Sequence, residues 1–419
     1  MLKPHQKKSL YFKVKNPRSL DFSEMGTGKT ITALAFIAYQ KEPALVLCPA
    51  YLRENWLAEI NKFLPNRFKV AVIRRLADLI QHPNLDILIA SYEALPFLKS
   101  EFSKRQTIIV DEAHYLCNLK AGRTRYFQNY NFTFQPKNLV LMTGTPIRNC
   151  VPDLYSLIVA TRPDGFLEAY PKFWEFARHF SNEVVKKIGS IRQIEYVGVK
   201  NPIELKELLS RIAVRFKLTD IEALPDYSEE DITFDCEEVS EAKQKALWAE
   251  FELNEKGELR NLENAATAKA FNALVKAEYT IKWCHDFFIK YPAEPLVIVS
   301  DHPSAAERIA GEFRAPVITG ATPSENRSKL VAEFQAGRHR LIVGTIGAMG
   351  TGFTLHRSKY LIFNDLSWVP AKNLQAAKRV HRIGQARHCL ILTFNSSKMD
   401  ARINRRLWEK SKTIAEVLS

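Results

Sequence analysis

Short runs of apolar residues alternate with longer amphipathic segments through the first 150 residues of the chain. An apolar run that ends in small or polar side chains is typical of a strand in a parallel sheet buried on both faces. The intervening segments have the length and the period of helices. The runs that predict strands are ALVLCPA (44–50), DILIASY (86–92), TIIVDEA (107–113) and NLVLMTGT (138–145).

The same alternation returns in the last third of the chain and predicts a second sheet of the same kind. The fold class expected from the two sets is therefore α/β, with two doubly wound parallel-sheet units. The second set of runs is PLVIVSD (295–301), APVITG (315–320), HRLIVGT (339–345), YLIFND (360–365) and CLILTFN (389–395).

The middle of the chain lacks this strand pattern. Residues 152–215 and 237–290 are predicted to be helical, and the acidic, proline-containing segment 223–235 is predicted to connect the two units. The expected divisions are 1–222 for the first unit with its helical insertion, 223–290 for the linker and a second insertion, and 291–419 for the second unit.

The charge of the chain points to a polyanionic partner. Lysine and arginine number 60 against 46 acidic residues, which gives a formal net charge of +14 over 419 residues. The acidic side chains concentrate at 220–264 and the basic ones at 371–419. The last helix, predicted over 399–418, is expected to be a basic brace packed on the second unit.

The cysteines and the apolar runs exclude two further classes of protein. The six cysteines are scattered with no C-x-x-C pair, so neither a disulfide framework nor a zinc site is indicated. No apolar run approaches the roughly 18 residues that a membrane-spanning helix needs. We therefore expect a soluble, intracellular protein with no membrane partner.

The strongest local signal for chemistry is the turn MGTGKT at 25–30, which follows the strand-like SLDFS and opens the apolar helix ITALAFIAYQ. In this context glycines let the backbone approach a phosphate, and amides at the helix N-terminus face the anion. Ser23 stands where the strict P-loop pattern has glycine, so the match is to the shortened G-x-G-K-T form. The predicted nucleotide-binding residues here are Met25, Gly26, Thr27, Gly28, Lys29 and Thr30.

A second signal is an acidic pair that follows the strand TIIV, namely Asp111 and Glu112 in the sequence DEAH. A carboxylate at the end of a buried strand needs a cation, and Mg²⁺ held by Asp111 together with Thr30 meets that need. Glu112 is then the candidate base that activates water. His114 has no second histidine at metal spacing and is expected to be a hydrogen-bonding relay.

A third signal lies in the second half, where Arg379 and Arg382 are spaced i, i+3 and are expected on one helix face. Facing a triphosphate, two guanidiniums stabilise the charge that develops during phosphoryl transfer. A basic solvated face explains this segment, taken alone, equally well.

The chain resembles the Swi/Snf-type ATPases of helicase superfamily two, and the resemblance covers almost the whole sequence. The motifs that carry it occur in the family's order, and RIGQ at the end is the most discriminating of them. They are LKPHQ (2–6), MGTGKT (25–30), LCPAYLRENWLAE (47–59), SYE (91–93), DEAH (111–114), TGTPIRN (143–149), RFKLTDIEALP (215–225), TGATPSENR (319–327), GAMGTGFTL (347–355), W-x-P (368–370) and QAAKRVHRIGQ (375–385).

The resemblance implies two RecA-like lobes that clamp ATP and Mg²⁺ between them and move along double-stranded or branched DNA. Gln6 would contact adenine, and Arg379 and Arg382 would be arginine fingers that complete the catalytic set with Glu112. The implied DNA contacts are Ser91, Tyr92, Gly350, Thr351 and Gly352, and the implied coupling residues are Thr143, Gly144, Thr145 and Gln375.

Two departures from the family pattern refine the expectation. Thr27 replaces a common leucine, and Thr354-Leu355 replaces Asn-Leu, which resembles the branch that includes annealing helicases. The compact layout resembles bacterial or phage-encoded relatives, which implies the cytoplasm of such a host and a monomer on DNA.

Three functions follow from these expectations. The first is an ATP-driven translocase on duplex DNA that moves along or remodels it. The second is a helicase that separates or anneals strands, and the third is a nucleotide-gated DNA clamp without steady turnover. RNA is the least expected track.

Overall fold

The structure is a computed structural model of the 419-residue chain. It describes residues 2–81, 85–188, 191–221, 225–234, 262–350, 353–382, 384–396 and 398–418. The chain divides into two units: one comprises 1–182, 196–223 and 413–419, and the other comprises 183–195 and 224–412.

The first unit is built on a seven-stranded parallel sheet in the order β3-β4-β2-β5-β6-β1-β9. Its strands are β1 (Arg18–Asp21), β2 (Ala44–Cys48), β3 (Val70–Ile73), β4 (Ile87–Ser91), β5 (Thr107–Asp111), β6 (Asn138–Met142) and β9 (Ala213–Val214). A separate two-stranded sheet is formed by β7 (Asn182–Ile188) and β8 (Ile191–Val197).

Ten helices accompany these strands along the first 212 residues. They are α1 (Pro4–Lys15), α2 (Lys29–Gln40), α3 (Arg53–Phe63), α4 (Leu76–Gln81), α5 (Lys99–Lys104), α6 (Gly122–Phe134), α7 (Tyr155–Thr161), α8 (Phe166–Ala169), α9 (Phe173–Phe180) and α10 (Pro202–Ile212).

Both faces of the first sheet are buried, as continuous apolar strands require. Successive residues of β2 alternate between two cores, so Leu45 and Leu47 lie in one and Val46 lies in the other. The core around Val46 includes apolar residues of α2 and α3, among them Trp56. Packing on both faces fixes the strands, and with them the edge where the strands end.

The second unit has a six-stranded parallel sheet in the order β10-β15-β14-β11-β13-β12. Its strands are β10 (Tyr227–Thr233), β11 (Leu296–Ser300), β12 (Val317–Ile318), β13 (Leu341–Thr345), β14 (Tyr360–Phe363) and β15 (Cys389–Asn395). The helices that follow in the chain are α11 (Leu262–Lys290), α12 (Pro303–Glu312), α13 (Ser324–Gln335), α14 (Ile346–Met349), α15 (Pro370–Ala377) and α16 (Lys398–Leu418).

The second sheet is also covered on both faces, since Val297 and Ile298 lie in different cores. A buried ion pair fastens α11 to the start of α16, where Lys276 Nζ lies 2.7 Å from Asp400 Oδ1. Lys276 also donates to the carbonyl of Phe394 at 3.0 Å. All nine predicted strands are present, and the α/β class with two parallel sheets is confirmed.

Three features differ from the expectations. The segment 152–215, expected to be helical, contains the hairpin strands β7 and β8, whose sequence is rich in Val and Ile. The helical patterns and apolar neighbours of Trp174 and Trp408 predict core positions, but both side chains are exposed because their helices turn other faces inward. The end of α16 differs as well, since Val417 is buried in a core of the first unit.

Two other expectations can be compared with the described part of the chain. None of the five cysteines that it contains forms a disulfide, and Cys236 lies outside it. No described helix has the length and apolar character needed to cross a membrane. Residues 235–261, part of the predicted second insertion, also lie outside the described residues.

Candidate functional site

Three loops meet at the carboxyl edge of the first sheet. The neighbouring strands β5, β6 and β1 run parallel, with Asp111 and Asp21 both in register with Met142. The turn after β1, the acidic pair after β5 and the threonines after β6 therefore leave the sheet side by side. This edge is where ligands bind in open parallel sheets.

The turn after β1 is shaped by two glycines in the left-handed region. Gly26 has φ 85° and Gly28 has φ 86°, and Gly28 is the residue that precedes helix α2. A side chain at Gly28 would collide with Gln6, because its Cβ would lie 2.3 Å from the amide nitrogen Nε2. Only glycine fits here, and the first amides of α2 open onto the turn as an anion site requires.

Lys29 is held inside this turn by backbone carbonyls. Its Nζ donates to the carbonyl of Ser23 at 2.7 Å and to that of Glu24 at 3.0 Å. The side chain of Thr30 is half-buried, and no described residue hydrogen bonds to it. Lysine and hydroxyl thus stand at the helix N-terminus in the arrangement that a phosphate and its metal ion need.

Asp111 is the carboxylate at the end of β5, and two N–H groups donate to it. The indole Nε1 of Trp56 donates to Asp111 Oδ2 at 2.9 Å, and the amide of Glu112 donates to Oδ1 at 2.9 Å. Burial, reinforced by the charge of Glu112, raises the pKa of Asp111 to about 6. A cation beside this carboxylate would favour its charged form, so the donor set fits a divalent metal ion.

Glu112 has a left-handed backbone conformation, with φ 50°, which turns the chain sharply at the strand end. Its Oε2 lies 3.2 Å from His114 Nδ1, and that nitrogen lies 3.1 Å from Thr143 Oγ1. The amide of Thr145 donates to the same hydroxyl at 3.1 Å. His114 therefore connects the acidic pair to the loop after β6.

That loop reaches the phosphate turn through Gly144. A Cβ placed on Gly144 would lie 3.3 Å from Met25 Cγ and 3.6 Å from Lys29 Nζ. The structure thus brings together, within the first unit, the predicted phosphate, metal, base and coupling residues of that unit. The roles given to Thr143, Gly144 and Thr145 stay predictions.

Gln6, the predicted adenine contact, lies in α1 against the phosphate turn. Its Oε1 accepts a hydrogen bond from the amide of Lys3 at 2.9 Å, and its Nε2 lies 3.5 Å from the carbonyl of Thr27. His5 Nε2 lies 2.8 Å from the same carbonyl. The start of α1 is therefore joined to the turn by two side chains, which is consistent with a nucleotide contact there.

The sequence missed a buried ion pair beneath the turn. Lys13 Nζ lies 2.5 Å from Asp21 Oδ2 and 2.5 Å from Ser9 Oγ, and Ser9 Oγ donates to the same carboxylate oxygen at 3.2 Å. The other oxygen of Asp21 accepts from the amide of Ser23 at 3.0 Å. A basic N-terminal stretch such as 3–15 is typical of a solvated face, but Lys13 is fully buried because it neutralises Asp21 at the end of β1.

The predicted DNA contacts are only partly described. Ser91 and Tyr92 are buried at the end of β4, and the hydroxyl of Tyr92 donates to the carbonyl of Asp111 at 2.6 Å. Gly350 is buried in the second unit, whereas Thr351 and Gly352 lie outside the described residues. Tyr92 in this conformation supports the strand end, and DNA binding by these residues stays a prediction.

The two arginines of the second unit do not lie on a helix. Helix α15 ends at Ala377, and the chain tightens into turns whose amides bond three residues back, as Arg379 N does to Ala376 O at 3.0 Å. Both guanidiniums still converge on the carbonyl of Phe353, at 3.1 Å for Arg379 and 3.2 Å for Arg382.

The arginines differ in burial and in partners. Arg379 is 5% exposed and donates a second bond, at 2.5 Å, to the carbonyl of Gly350. Arg382 is half-buried, and burial lowers its pKa from the ordinary value. Gln375 lies beside Gly350, since a Cβ there would be 3.6 Å from Gln375 Cβ. Arg379 thus bonds to the carbonyls of both Gly350 and Phe353, and Arg382 has the more accessible charge.

Curated relatives match over most of this chain. Mouse "DNA annealing helicase and endonuclease ZRANB3" is 27% identical over 409 residues, which is 92% of this chain and 37% of that protein. The Xenopus laevis "SWI/SNF-related matrix-associated actin-dependent regulator of chromatin subfamily A-like protein 1" is 28% identical over 401 residues, covering 92% of this chain and 40% of the relative. The chain thus spans about two fifths of their length.

A solved structure described as "Sulfolobus solfataricus SWI2/SNF2 ATPase core in complex with dsDNA" aligns with a TM-score of 0.46 and 21% identity, over 100% of this chain and 94% of that one. Family models give the assignment directly. The helicase conserved C-terminal domain matches residues 282–384, and the SNF2-related domain matches residues 5–282, about two thirds of the sequence. The Swi/Snf-type resemblance is confirmed, and the chain belongs to the SNF2-related family.

Proposed function

We propose that this chain is a DNA-dependent ATPase that uses ATP to move along or remodel double-stranded DNA. The observation that carries the proposal is the meeting of Lys29, Asp111 and Glu112 at one sheet edge, connected through His114 to the loop after β6. Lys29 is the phosphate-binding group, Asp111 the metal-binding group and Glu112 the water-activating group. Phosphoryl transfer from ATP requires one group of each kind.

The first unit binds the nucleotide in this proposal. The amides at the start of α2 and the ammonium of Lys29 hold the β- and γ-phosphates, and Gln6 contacts adenine. Thr30 and Asp111 would hold Mg²⁺, which supplies neutralisation of phosphate charge when bound. The half-buried hydroxyl and the buried carboxylate are suitable oxygen donors for that ion.

Glu112 is the proposed base. Its carboxylate accepts the proton of the attacking water, and its contact with His114 keeps the side chain in one orientation. His114 also contacts the hydroxyl of Thr143. A movement of Glu112 on γ-phosphate binding or release is therefore transmitted through His114 to the loop after β6. This supports a coupling role for Thr143, Gly144 and Thr145.

In the second unit, we assign the finger role first to Arg382. Its guanidinium makes one bond to a carbonyl and is half-buried, so its donors can be redirected to the developing charge on the γ-phosphate. Arg379 and Gln375 contact Gly350, and they contribute by positioning that residue. Both arginines remain in the proposed catalytic set with Glu112.

DNA is the proposed partner, and the protein is proposed to act as a monomer on it. The formal net charge of +14 supports a polyanionic track, and the mouse relative is described as a DNA annealing helicase and endonuclease. Ser91, Tyr92, Gly350, Thr351 and Gly352 are proposed to lie near the DNA backbone. The proposed location is the cytoplasm of a bacterial or phage-infected host.

The test is ATP hydrolysis measured without nucleic acid and with single-stranded DNA, duplex DNA, forked DNA and RNA. We expect duplex or branched DNA to stimulate turnover most, because backbone contacts favour the state that hydrolyses ATP. K29A is the control and should bind no nucleotide. Equal rates for K29A and the unmodified chain would disprove the proposal.

A second candidate is an annealing or strand-separating helicase, favoured by the relative described as a DNA annealing helicase and by Thr27 and Thr354 in the motifs. Displacement of a third strand from a triplex without fork unwinding supports translocation on duplex DNA. Unwinding of the fork, or annealing of bubbled DNA, supports the helicase. A clamp without turnover is ruled out by steady phosphate release in the presence of DNA.

A further inference from the structure

The last strand of the first sheet, β9, continues into residues that run alongside the phosphate turn. Strand β9 pairs with β1, the strand that leads into this turn, with Asp21 in register with Val214. The pairing continues past both strands, since the amide of Phe22 donates to Val214 at 2.9 Å and the amide of Glu24 donates to Phe216 at 2.9 Å. We call residues 213–221 the outgoing segment, because the chain leaves the first sheet through it.

Side chains of the turn add to this backbone ladder. Ser23 Oγ accepts from the amide of Phe216 at 3.2 Å, and Glu24 Oε2 accepts from the amide of Leu218 at 3.1 Å. The other carboxylate oxygen of Glu24 lies 3.8 Å from the guanidinium of Arg215, which also donates to the carbonyl of Leu418. The outgoing segment is therefore bonded to both residues that open the turn.

The same two residues hold the phosphate-binding lysine. The carbonyls of Ser23 and Glu24 accept both hydrogen bonds that Lys29 Nζ makes to the backbone. An ammonium has three donors, so these two bonds leave one donor for a phosphate, and a phosphate that binds a second donor takes it from one of these carbonyls. Nucleotide binding thereby changes the hydrogen bonding of the residues to which the outgoing segment is bonded.

Packing contacts extend the connection to the rest of the turn. Leu218 lies over Gly26, where an added Cβ would be 3.5 Å from Leu218 Cδ2. The ring of Phe216 packs edge-on against His5 with centroids 5.8 Å apart, and His5 contacts the carbonyl of Thr27. A shift of the turn cannot occur without a response in the outgoing segment, because close-packed groups move together.

We propose that Glu24 is a positioning residue that couples nucleotide binding at the phosphate turn to the outgoing segment. The inference rests on the proposed function, since it takes ATP as the ligand of the turn. Residues 213–221 precede the second unit in the chain, so this coupling supplies a covalent route from the nucleotide to that unit. Glu24 itself touches neither phosphate nor water in this account.

The test is hydrogen–deuterium exchange of the peptide that covers 213–221, with and without a saturating non-hydrolysable ATP analogue and Mg²⁺. Nucleotide binding is measured separately by anisotropy of a fluorescent ATP analogue. In the unmodified chain we expect exchange to change by about fivefold on binding. In E24A, brought to saturation with the analogue, we expect a change of less than about twofold.

Matched variants separate coupling from general destabilisation. E54A removes an exposed ion pair with Arg74 elsewhere in the first unit and should behave like the unmodified chain. E24Q keeps an acceptor for the Leu218 amide but loses the charge that faces Arg215, so an intermediate change is expected. R215A tests the same contact from the other side if E24A does not fold, and it should also reduce the change.

The outcomes decide the inference. The inference is overturned if nucleotide changes the exchange of the 213–221 peptide as much in E24A as in the unmodified chain. It is also overturned if this peptide shows no change in exchange when the unmodified chain is saturated with nucleotide. Absence of nucleotide binding by the unmodified chain is a different result, seen in the anisotropy measurement, and it overturns the proposed function as well.

Discussion

The chemistry-bearing residues of the two units are held in different ways. In the first unit, Asp111 is the last residue of a buried strand and Glu112 follows it, and Lys29 starts a helix of 12 residues. In the second unit, Arg379 and Arg382 lie in turns beyond the end of α15 and are bonded to loop carbonyls. Strand ends fix a side chain through two packed faces, whereas turns fix it only through a few hydrogen bonds.

This difference suggests a division of labour. The groups that must be in place before ATP binds are on rigid elements, which is the arrangement that preorganised catalysis requires. The groups proposed to act at the moment of transfer lie on a segment that can be rearranged. Substitution of Lys29 or Glu112 in the first unit should therefore change chemistry at nearly constant stability, and variants of Arg379 and Arg382 in the second unit should divide into structural and catalytic classes.

The largest expected effect comes from E112Q. Loss of the carboxylate that accepts the proton should lower kcat about 1,000-fold, while the KM for ATP changes little. The measurement is steady-state phosphate release at saturating duplex DNA. The control E54Q changes an exposed carboxylate of the same unit and should leave the rate intact. A normal rate of phosphate release in E112Q would show that Glu112 is not the catalytic base.

The next comparison is R382A against R379A. R382A should lower kcat on the order of 1,000-fold with an unchanged melting temperature, as loss of an arginine finger does. R379A removes the donor to the buried carbonyl of Gly350 and one of the two donors to the carbonyl of Phe353, and it should reduce the free energy of unfolding by about 1–3 kcal/mol. We would measure stability by calorimetry and kcat by ATPase assay for both variants. R338A, a change at an exposed arginine, is the control. Identical profiles for the two variants would contradict the assignment.

A third prediction concerns the buried pair beneath the turn. K13M leaves Asp21 charged and unpaired, which should cost about 3 kcal/mol of stability, whereas the exposed K15M should cost almost nothing. Burial acts to raise the pKa of Asp21, but Lys13 and Lys29 outweigh it, and the pKa lies below its ordinary value.

The direction of that shift fixes the pH dependence. A carboxylate with a lowered pKa contributes its full stability above the pKa of the unfolded chain, about 3.9, and loses it as the pH falls through the folded value. Denaturant titrations between pH 6 and the acid limit should therefore show a decline that D21N lacks. A D21N variant with an undiminished acid decline would show that other carboxylates cause it.

The smallest expected effect is that of H114F. Removing the ring nitrogen that lies near Glu112 and Thr143 should lower kcat about tenfold, by loosening the carboxylate without removing it. ATP affinity should be retained. H388N, a change at an exposed histidine of the second unit, is the control. An effect as large as that of E112Q would give His114 a direct chemical role.

Much of this arrangement was predictable because it follows from local sequence. A buried parallel strand has to be a continuous apolar run, so β2, β4, β5 and β6 were visible as such. Parallel strands that end in Gly, Asp or Thr place those residues at one edge. The grouping of Lys29, Asp111 and Thr143 follows from these two facts alone.

The parts that were missed depend on partners far away in the sequence. The burial of Lys13 depends on Asp21, and the hydrogen bond of Trp56 to Asp111 joins residues 55 positions apart. The strands β7 and β8 are rich in the β-branched residues Val and Ile, a signal that the helical interpretation overrode. The spacing of Arg379 and Arg382 suits a helix, but nothing in it reveals that α15 ends at Ala377.

The contact between Trp56 and Asp111 gives the protein an intrinsic optical reporter. An indole whose N–H is bonded to a carboxylate senses the charge on that group, and this carboxylate is the proposed metal ligand. Tryptophan emission recorded during rapid mixing with nucleotide and magnesium would follow occupancy of the site in real time. W56F would identify the signal among the six tryptophans of the chain.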